Sequence, residues 1–384
     1  MDSQSSTAVT QSNSDSCDMM CKKRGFAPPQ SAYSSIKAPP RSILPHAQFH
    51  FSRAPDVDGS RFWAVIIGID AYADSKLQLE GCVNDANLVR DYLREGLGVP
   101  EERMQILLAP APAESDTNIL SPSRHNIIQT LLGLCHNAAI KPGDNILIYF
   151  AGHGATYKLE NYYSESYAAV GAIEALCPVD RGTLDDRDRD RSIPDISDRE
   201  LNHILSDIRR AKGDRITVVL DCCYAAGVTR RAGAGAVRNA GPLTWGLELM
   251  FQFAGIPSIS APDWKPDMSS HVVLAACTEN QEAAALERLD GTYQGAFTHF
   301  LIKILQDNRS LTYRELIDSV TLALPEELKY VQTPVVAGKN KGSSLWYPIV
   351  LSPRLSWQQW ICERAFLLLA GSGVGVGLLY YYYL

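Results

Sequence analysis

A histidine and a cysteine follow two of the most apolar segments of the chain, where they could form a nucleophile–base pair. The run 146–150 leads into Ala151-Gly152-His153-Gly154, and the run 216–220 leads into Asp221-Cys222-Cys223-Tyr224. An imidazole beside a thiol raises the fraction of thiolate, which is the nucleophilic form of cysteine. Glycines next to the histidine allow a sharp turn of the backbone. By residue type alone, a purely structural role for both side chains is equally open.

These residues need a parallel sheet to bring them together, and the pattern of the chain predicts one. Short apolar runs rich in β-branched residues, typical of strands buried on both faces, occur at residues 62–69, 146–150, 216–220 and 272–276. Amphipathic stripes indicate helices near residues 84–93, 127–135, 198–208, 297–305 and 312–320. This alternation predicts an α/β fold with a mostly parallel sheet covered on both faces. In such sheets, functional groups gather beyond the carboxyl ends of the strands.

Composition restricts the functional classes. The 384 residues are 46% hydrophobic and 21% charged, which suits a globular core. Lys plus Arg total 36 against 43 Asp plus Glu, giving a net charge of −7, so we expect no nucleic-acid function. The nine cysteines are scattered, and the first residues are polar without an apolar stretch. We therefore expect no secretory signal, no disulfides and a cytoplasmic location.

Several local sequences resemble those of the metacaspases and related caspase-like cysteine peptidases, and the type that they resemble is a fungal caspase-domain protein. Tyr149-Phe150-Ala151-Gly152-His153-Gly154 is similar to their Tyr-Phe-Ser-Gly-His-Gly motif, and Leu220-Asp221-Cys222-Cys223 to their Asp-x-Cys motif. Gly81-Cys82-Val83-Asn84-Asp85-Ala86 resembles the segment after their first strand. The other similarities are Cys177-Pro178-Val179-Asp180 with Ile193-Pro194-Asp195, and Gly295-Ala296-Phe297-Thr298 with Gln332-Thr333-Pro334. The resemblance covers residues 62–350 and implies the caspase-like three-layer α/β/α sandwich.

The resemblance also implies roles for individual residues. It makes His153 the general base and Cys223 the nucleophile of an endopeptidase, with Cys222 as a packing residue. The backbone N–H groups of Gly154 and Cys223 would form the oxyanion hole, which stabilises charge that develops in the tetrahedral intermediate. The partners are then protein or peptide substrates.

Specificity for Arg or Lys before the cleaved bond follows from Asp85 and Asp221, which match the residues lining the metacaspase specificity pocket. Two carboxylates in a partly buried pocket favour a cationic side chain. A caspase specific for Asp would need arginines there instead. The alternative for Asp85 is a simple acidic residue at a helix N-terminus.

The sequence departs from the family pattern in two places. Tyr224-Ala225-Ala226-Gly227 replaces the His-Ser-Gly that usually follows the nucleophile. No cofactor is needed for the chemistry, but many metacaspases respond to Ca²⁺, and the acidic residues that match their binding loop are Glu174, Asp195 and Asp198. The acidic residue expected after the nucleophile is missing, and a hard cation needs six or more oxygens. Ca²⁺ dependence is therefore doubtful, and we expect the Asp-rich stretch 180–198 to be a solvated loop.

The chain divides into a disordered N-terminal region 1–58, a peptidase domain 59–352 and a tail 353–384. Within the domain, a basic loop 228–241 separates a larger part 59–228 from a smaller part 242–352. Self-cleavage is expected in that loop, at Arg230, Arg231 and Arg238, although these arginines could simply solubilise it. In the tail, the uncharged run 365–384 is long enough to span a bilayer. Membrane anchoring is thus a second possibility for localisation, and the oligomeric state stays open.

Two functional classes remain. The first is a cysteine endopeptidase that cleaves after Arg or Lys. The second is a catalytically weak or silent caspase-fold module that acts in signalling or cell-death assemblies, which the altered segment Tyr224-Ala225-Ala226 keeps open. Another hydrolase class is not indicated, because the sequence contains neither Gly-x-Ser-x-Gly nor His-Glu-x-x-His.

Overall fold

The structure is a computed structural model. The chain divides into two compact units, Met1–Pro39 and Pro40–Leu384, and all the described residues belong to the second. The described residues are 43–44, 49–51, 57–111, 119–159, 172–185, 188–222, 240–243, 246–261, 263–278, 281, 283–308 and 311–346. No helix within those ranges has the length and apolar composition needed to cross a bilayer. The run 365–384 lies outside them.

Strands and helices alternate along the described chain. The strands are β1 (Ile43–Leu44), β2 (Phe62–Ile69), β3 (Met104–Ala109), β4 (Asn145–Ala151), β5 (Gly154–Lys158), β6 (Ala172–Leu176), β7 (Leu184–Asp185), β8 (Asp188–Ser192), β9 (Ile196–Ser197), β10 (Ile216–Asp221), β11 (Val272–Ala275), β12 (Ala285–Arg288), β13 (Tyr293–Gly295) and β14 (Val335–Ala337). The helices are α1 (Cys82–Asp91), α2 (Arg124–His136), α3 (Asp198–Lys212), α4 (Gly246–Ala254), α5 (Ala296–Asp307), α6 (Tyr313–Ala323) and α7 (Glu326–Lys329). Residues Tyr92–Gly96 continue α1 as a π-helical turn.

The largest sheet of the described structure has the order β14-β11-β10-β4-β2-β3, and only its edge strand β14 is antiparallel. Strands β2, β4 and β10 are buried at every residue, as their apolar runs predict. Helices α1, α5 and α6 pack together in one layer, and α2 and α3 pack together in the other. The predicted three-layer α/β/α architecture with a mostly parallel sheet is therefore confirmed.

The strand order creates a crevice above β2 and β4. From β2 the chain crosses to β3 at one edge, whereas from β4 it continues to β10 on the opposite side. Where adjacent parallel strands connect in opposite directions, the loops at their carboxyl ends diverge and leave room for a ligand. The loop after β2 and the turn after β4 border this crevice, and His153 lies in that turn.

Side chains cap some of the helix starts. Ser197 caps α3, and Thr312 with Glu315 forms a capping box at the start of α6. Helix α1 begins at Cys82, and the residue before it, Gly81, has no side chain to cap it. The carboxylate of Asp70, in the loop after β2, accepts hydrogen bonds from the N–H groups of Cys82 (2.8 Å) and Val83 (3.2 Å). A side chain distant in sequence thus satisfies donors that the helix start leaves open.

The predicted disorder of residues 1–58 is wrong for part of that region. Strand β1 pairs in parallel with β12, opposite Glu287 and Arg288. Phe49 packs edge-on against His299, with ring centroids 5.3 Å apart, and Phe51 packs against Tyr92 at 5.9 Å. Both aromatic side chains are partly buried against the core, a contact that sequence periodicity does not reveal.

The Asp-rich stretch 180–198 also differs from the predicted solvated loop. It contains the hairpin β7–β8 and strand β9, which pairs with β6. Asp195 in this stretch is fully buried. The Arg181 guanidinium compensates its charge by binding both carboxylate oxygens, at 2.7 and 2.8 Å. A buried charge needs such a partner, and the partner cannot be recognised from charge density along the sequence.

Candidate active site

The two predicted catalytic residues follow neighbouring strands that end at the same level. Asp221, the last residue of β10, lies opposite Ala151, the last residue of β4. His153 comes two residues after Ala151, and Cys223 comes two residues after Asp221. Adjacent strands are separated by about 4.8 Å, so the chain leaves both strand ends close together. Cys223 itself lies outside the described residues, as do Arg230, Arg231 and Arg238.

His153 is buried, and its imidazole is oriented by a backbone carbonyl. Its Nε2 lies 2.9 Å from the carbonyl oxygen of Leu77, in the loop after β2. A carbonyl only accepts, so this contact requires a proton on Nε2 and makes Nδ1 the basic nitrogen of the neutral ring. The imidazole is thereby held in the tautomer that a general base needs.

The same loop contacts the backbone of His153 through Tyr72. The N–H of His153 donates to the Tyr72 hydroxyl oxygen at 2.7 Å, and the two rings lie 4.9 Å apart. Gly152 makes this approach possible, since a Cβ at that position would lie 2.8 Å from the hydroxyl oxygen. Neither Tyr72 nor Leu77 belongs to a recognisable motif, and sequence analysis missed both. The only available signal was their place in the loop that follows a buried strand.

The hydrogen bonds around Gly154 show which way its backbone faces. The N–H of Cys177 donates to the His153 carbonyl at 3.0 Å, so the polar groups of His153 face β6. Along an antiparallel strand this direction alternates, so the N–H and C=O of Gly154 face away from β6. There the Gly154 carbonyl accepts the N–H of Ala240 at 3.0 Å. The N–H of Gly154, which is the predicted oxyanion donor, therefore faces the side on which Ala240 lies, at the end of the basic loop.

Asp85 and Asp221 are both fully buried, and both contact the start of α5. Each carboxylate oxygen of Asp85 lies 2.9 Å from the N–H of Gly295. Asp221 accepts from the N–H of Thr298 at 3.3 Å and from its hydroxyl at 2.6 Å. The positive end of the α5 dipole stabilises both negative charges. Asp85 also lies in the first turn of α1, as the alternative reading of a helix N-terminal acid expects.

Cys222 is 1% exposed and belongs to the core, as a packing residue should. Its carbonyl oxygen lies 3.6 Å from the Cys277 thiol, which donates to it. The residue next to the predicted nucleophile is therefore tied to the end of β11.

The three candidate Ca²⁺ ligands have different surroundings. The Asp195 carboxylate is occupied by Arg181 and by the Tyr157 hydroxyl, which donates at 2.6 Å. Glu174 and Asp198 line a mostly apolar cavity of about 680 Å³ below α3. Burial raises the pKa of Asp198 to about 7, which disfavours the charged form that Ca²⁺ requires. In the part of the chain that the structure describes, no group of three or more His, Cys, Asp or Glu could hold a metal ion. These residues do not fit a Ca²⁺ site.

The Arg181–Asp195–Tyr157 cluster instead anchors the chain after the basic loop. Arg181 donates to the carbonyl of Gly241 at 2.9 Å, and the N–H of Leu243 donates to the Tyr157 hydroxyl oxygen at 3.2 Å. Residues 240–243 are thus fixed beside β5, immediately after the predicted cleavage region.

The fold defines a class, the three-layer α/β/α proteins whose mostly parallel sheet carries functional residues at its strand ends. The family model of the caspase domain, peptidase family C14, matches residues 61–342. The chain therefore belongs to the caspase-domain family.

Metacaspases of plants and fungi are among the relatives that the chain resembles. The chain is 27% identical over 294 residues to Metacaspase-2 of Arabidopsis thaliana, covering 76% of this chain and 60% of that protein. It is 26% identical over 337 residues to Metacaspase-1B of Aspergillus terreus, covering 80% of each. The Drosophila initiator caspase Dronc overlaps 82% of this chain and 97% of its own, with a TM-score of 0.43 and 9% identity. The fold assignment rests on the sheet topology and the family match.

Proposed function

We propose that this chain is a cysteine endopeptidase in which Cys223 is the nucleophile and His153 the general base. The observation that carries the proposal is the hydrogen bond from His153 Nε2 to the Leu77 carbonyl, 2.9 Å long. It fixes the tautomer whose Nδ1 can take the thiol proton. The same imidazole lies at the end of the strand beside the one that leads to Cys223.

The reaction follows from these roles. Nδ1 of His153 accepts the thiol proton of Cys223, and the thiolate attacks the carbonyl carbon of the substrate. Negative charge then develops on the carbonyl oxygen, and in this proposal the N–H groups of Gly154 and Cys223 stabilise it. The imidazolium returns its proton to the leaving amine as the peptide bond breaks. Water, deprotonated by the same imidazole, hydrolyses the thioester and releases the thiol.

Cleavage after Arg or Lys is the specificity we propose. Asp85 and Asp221 bring two buried carboxylates to one place, between α1, the end of β10 and the start of α5. A cationic side chain complements that charge, and a guanidinium can bind a carboxylate through two hydrogen bonds. An acidic side chain before the cleaved bond would meet like charge.

Self-cleavage at Arg230, Arg231 or Arg238 is the activation step we propose. The residues after the cleavage region are anchored, because Ala240 binds Gly154 and Gly241 binds Arg181. The two fragments would stay together, since β10 and β11 are neighbours in one sheet.

The alternative is a silent caspase-fold module, for which the altered sequence Tyr224-Ala225-Ala226 is the argument. One assay separates the two. Purified protein is incubated with fluorogenic peptides ending in Arg, Lys or Asp, with and without Ca²⁺. We expect hydrolysis of the Arg and Lys peptides, its loss in Cys223→Ala, and most of it retained in Cys222→Ala. No hydrolysis of any peptide by folded wild-type protein would support the silent module.

A further inference from the structure

The Tyr72 hydroxyl lies inside the β5–β6 ladder at the position of His153. Gly154 of β5 pairs with Leu176 of β6. His153 immediately precedes Gly154 and Cys177 immediately follows Leu176, so His153 and Cys177 are the next pair of this ladder. One of their two ladder bonds is normal, with the Cys177 N–H donating to the His153 carbonyl at 3.0 Å. In place of the other, the His153 N–H donates to the Tyr72 hydroxyl at 2.7 Å, and that hydroxyl donates to the Cys177 carbonyl at 3.3 Å. A side chain thus replaces one backbone hydrogen bond.

The loop that carries Tyr72 also carries the group that orients the imidazole. Gln78 donates from its side-chain amide to the Tyr72 carbonyl at 2.9 Å, which closes the loop on itself. The neighbouring Leu77 carbonyl holds Nε2 of His153. The backbone and the ring of His153 are therefore both fixed by one closed loop.

We infer that Tyr72 is a positioning residue of the proposed peptidase, whose hydroxyl sets the backbone of His153 and so the direction of its imidazole. The kinetic part of this inference rests on the proposed function. The hydroxyl lies between the His153 N–H and the Cys177 carbonyl. It thereby sets the separation of these two backbone groups, and with it the position of Cα and Cβ of His153. The ring, 4.9 Å from the imidazole, limits rotation on that side.

Tyr72 acts through hydrogen bonds and does not transfer a proton. Its hydroxyl is buried, and burial raises its pKa well above the ordinary value, so the group remains protonated. A protonated hydroxyl has one donor and can accept at its oxygen, which matches the two backbone groups that it joins.

Tyr72→Phe tests the inference because it keeps the ring and removes only the hydroxyl. Without that oxygen, the His153 N–H and the Cys177 carbonyl must either close on each other or remain buried without a partner. Closure would displace His153 relative to the Leu77 carbonyl, and an unpaired N–H would leave the backbone of His153 without the contact that fixes it. The matched control is Tyr313→Phe, which removes a buried hydroxyl bonded to Thr217 at 2.7 Å, near the start of β10 and away from its carboxyl end.

Two measurements separate positioning from stability. The first is the rate of iodoacetamide alkylation of Cys223, located by peptide mass spectrometry, from about pH 5 to about pH 9. A displaced imidazole supports the thiolate less, so the midpoint should move to higher pH in Tyr72→Phe. The second is hydrolysis of an Arg peptide, for which we expect kcat to fall about 10- to 100-fold at unchanged KM. Tyr313→Phe should change neither quantity, although both variants should melt at a lower temperature than wild type.

The outcomes distinguish this inference from the proposed function. An alkylation midpoint and a kcat equal to those of wild type in folded Tyr72→Phe would overturn the positioning role while leaving the peptidase intact. Equal shifts in Tyr72→Phe and Tyr313→Phe would overturn it as well, because they would indicate a general loss of stability. Absence of hydrolysis by wild type would contradict the proposed function, and the alkylation profiles would still decide the role of Tyr72.

Discussion

Asp85 and Asp221, which come from different elements, bind the same helix start. Asp85 accepts the N–H of Gly295, and Asp221 accepts the N–H and the hydroxyl of Thr298. Both carboxylates are 0% exposed, so the dipole and the N–H groups of α5 stabilise charges that water does not reach. This arrangement ties both proposed specificity residues to the junction of α1, β10 and α5.

Asp221→Asn should reduce the preference for cationic substrates. The amide oxygen can still accept from Thr298, but the negative charge is gone. We expect the ratio of kcat/KM for an Arg peptide to that for the matching Gln peptide to fall about tenfold or more. Asp318→Asn, which changes an exposed acid on α6, is the control. A wild-type protein that cleaves preferentially after Asp would overturn the proposed specificity.

Asp195→Asn should destabilise the fold, with or without Ca²⁺. The substitution leaves the Arg181 guanidinium, which is also buried, without its charge partner. Breaking a buried pair costs about 3–5 kcal/mol, whereas an exposed pair contributes about 1 kcal/mol or less. Arg210→Met, which breaks the exposed pair with Asp207, is the control. Denaturant unfolding measures both variants. Equal losses, or a loss in Asp195→Asn that appears only with Ca²⁺, would contradict the anchoring role.

Asp198 should make the stability of the protein depend on pH. Its pKa rises from 3.8 to about 7 on folding, so the folded state holds this proton more tightly. The contribution is complete below about pH 4 and is lost as the pH rises through about 7. His271, which lines the same cavity, acts in the opposite direction, because burial lowers its pKa from 6.5 to about 4.

Asp198→Asn therefore separates the two contributions. Between about pH 4 and about pH 7 the free energy of unfolding of this variant should change more positively with pH than that of wild type. Denaturant titrations at several pH values give the slopes. Parallel curves for wild type and variant would show that Asp198 does not titrate differently on folding.

Self-cleavage should occur at Arg230, Arg231 or Arg238 in active protein only. Mass spectrometry of purified wild-type and Cys223→Ala proteins should show nicked wild type and an intact variant. The two wild-type fragments should elute together in gel filtration, because residues 240–243 are bonded to the β5 side of the chain. Intact, active wild type, or a nicked Cys223→Ala protein with no other protease present, would rule this step out.

The sheet and its main helices could be predicted from the sequence because hydrophobic periodicity and capping residues are local signals. Contacts between distant residues could not. Arg181 and Asp195 look like solvated charges until the fold pairs them, and Phe49 and Phe51 look like isolated aromatics in a polar segment. The motifs located His153 within the site. Tyr72 and Leu77 act through a hydroxyl and a backbone carbonyl, which leave no motif in a single sequence.

The central claim, that Cys223 and His153 form the catalytic pair, is tested most directly by covalent labelling. Wild-type protein, Cys222→Ala and His153→Ala are treated with a peptide that ends in an Arg chloromethyl ketone, and peptide mass spectrometry locates the modified residue. We predict modification of Cys223 in wild type and in Cys222→Ala, and at least about a hundredfold slower labelling in His153→Ala. Labelling of a different cysteine, or labelling of Cys223 at an unchanged rate in folded His153→Ala, would contradict the account.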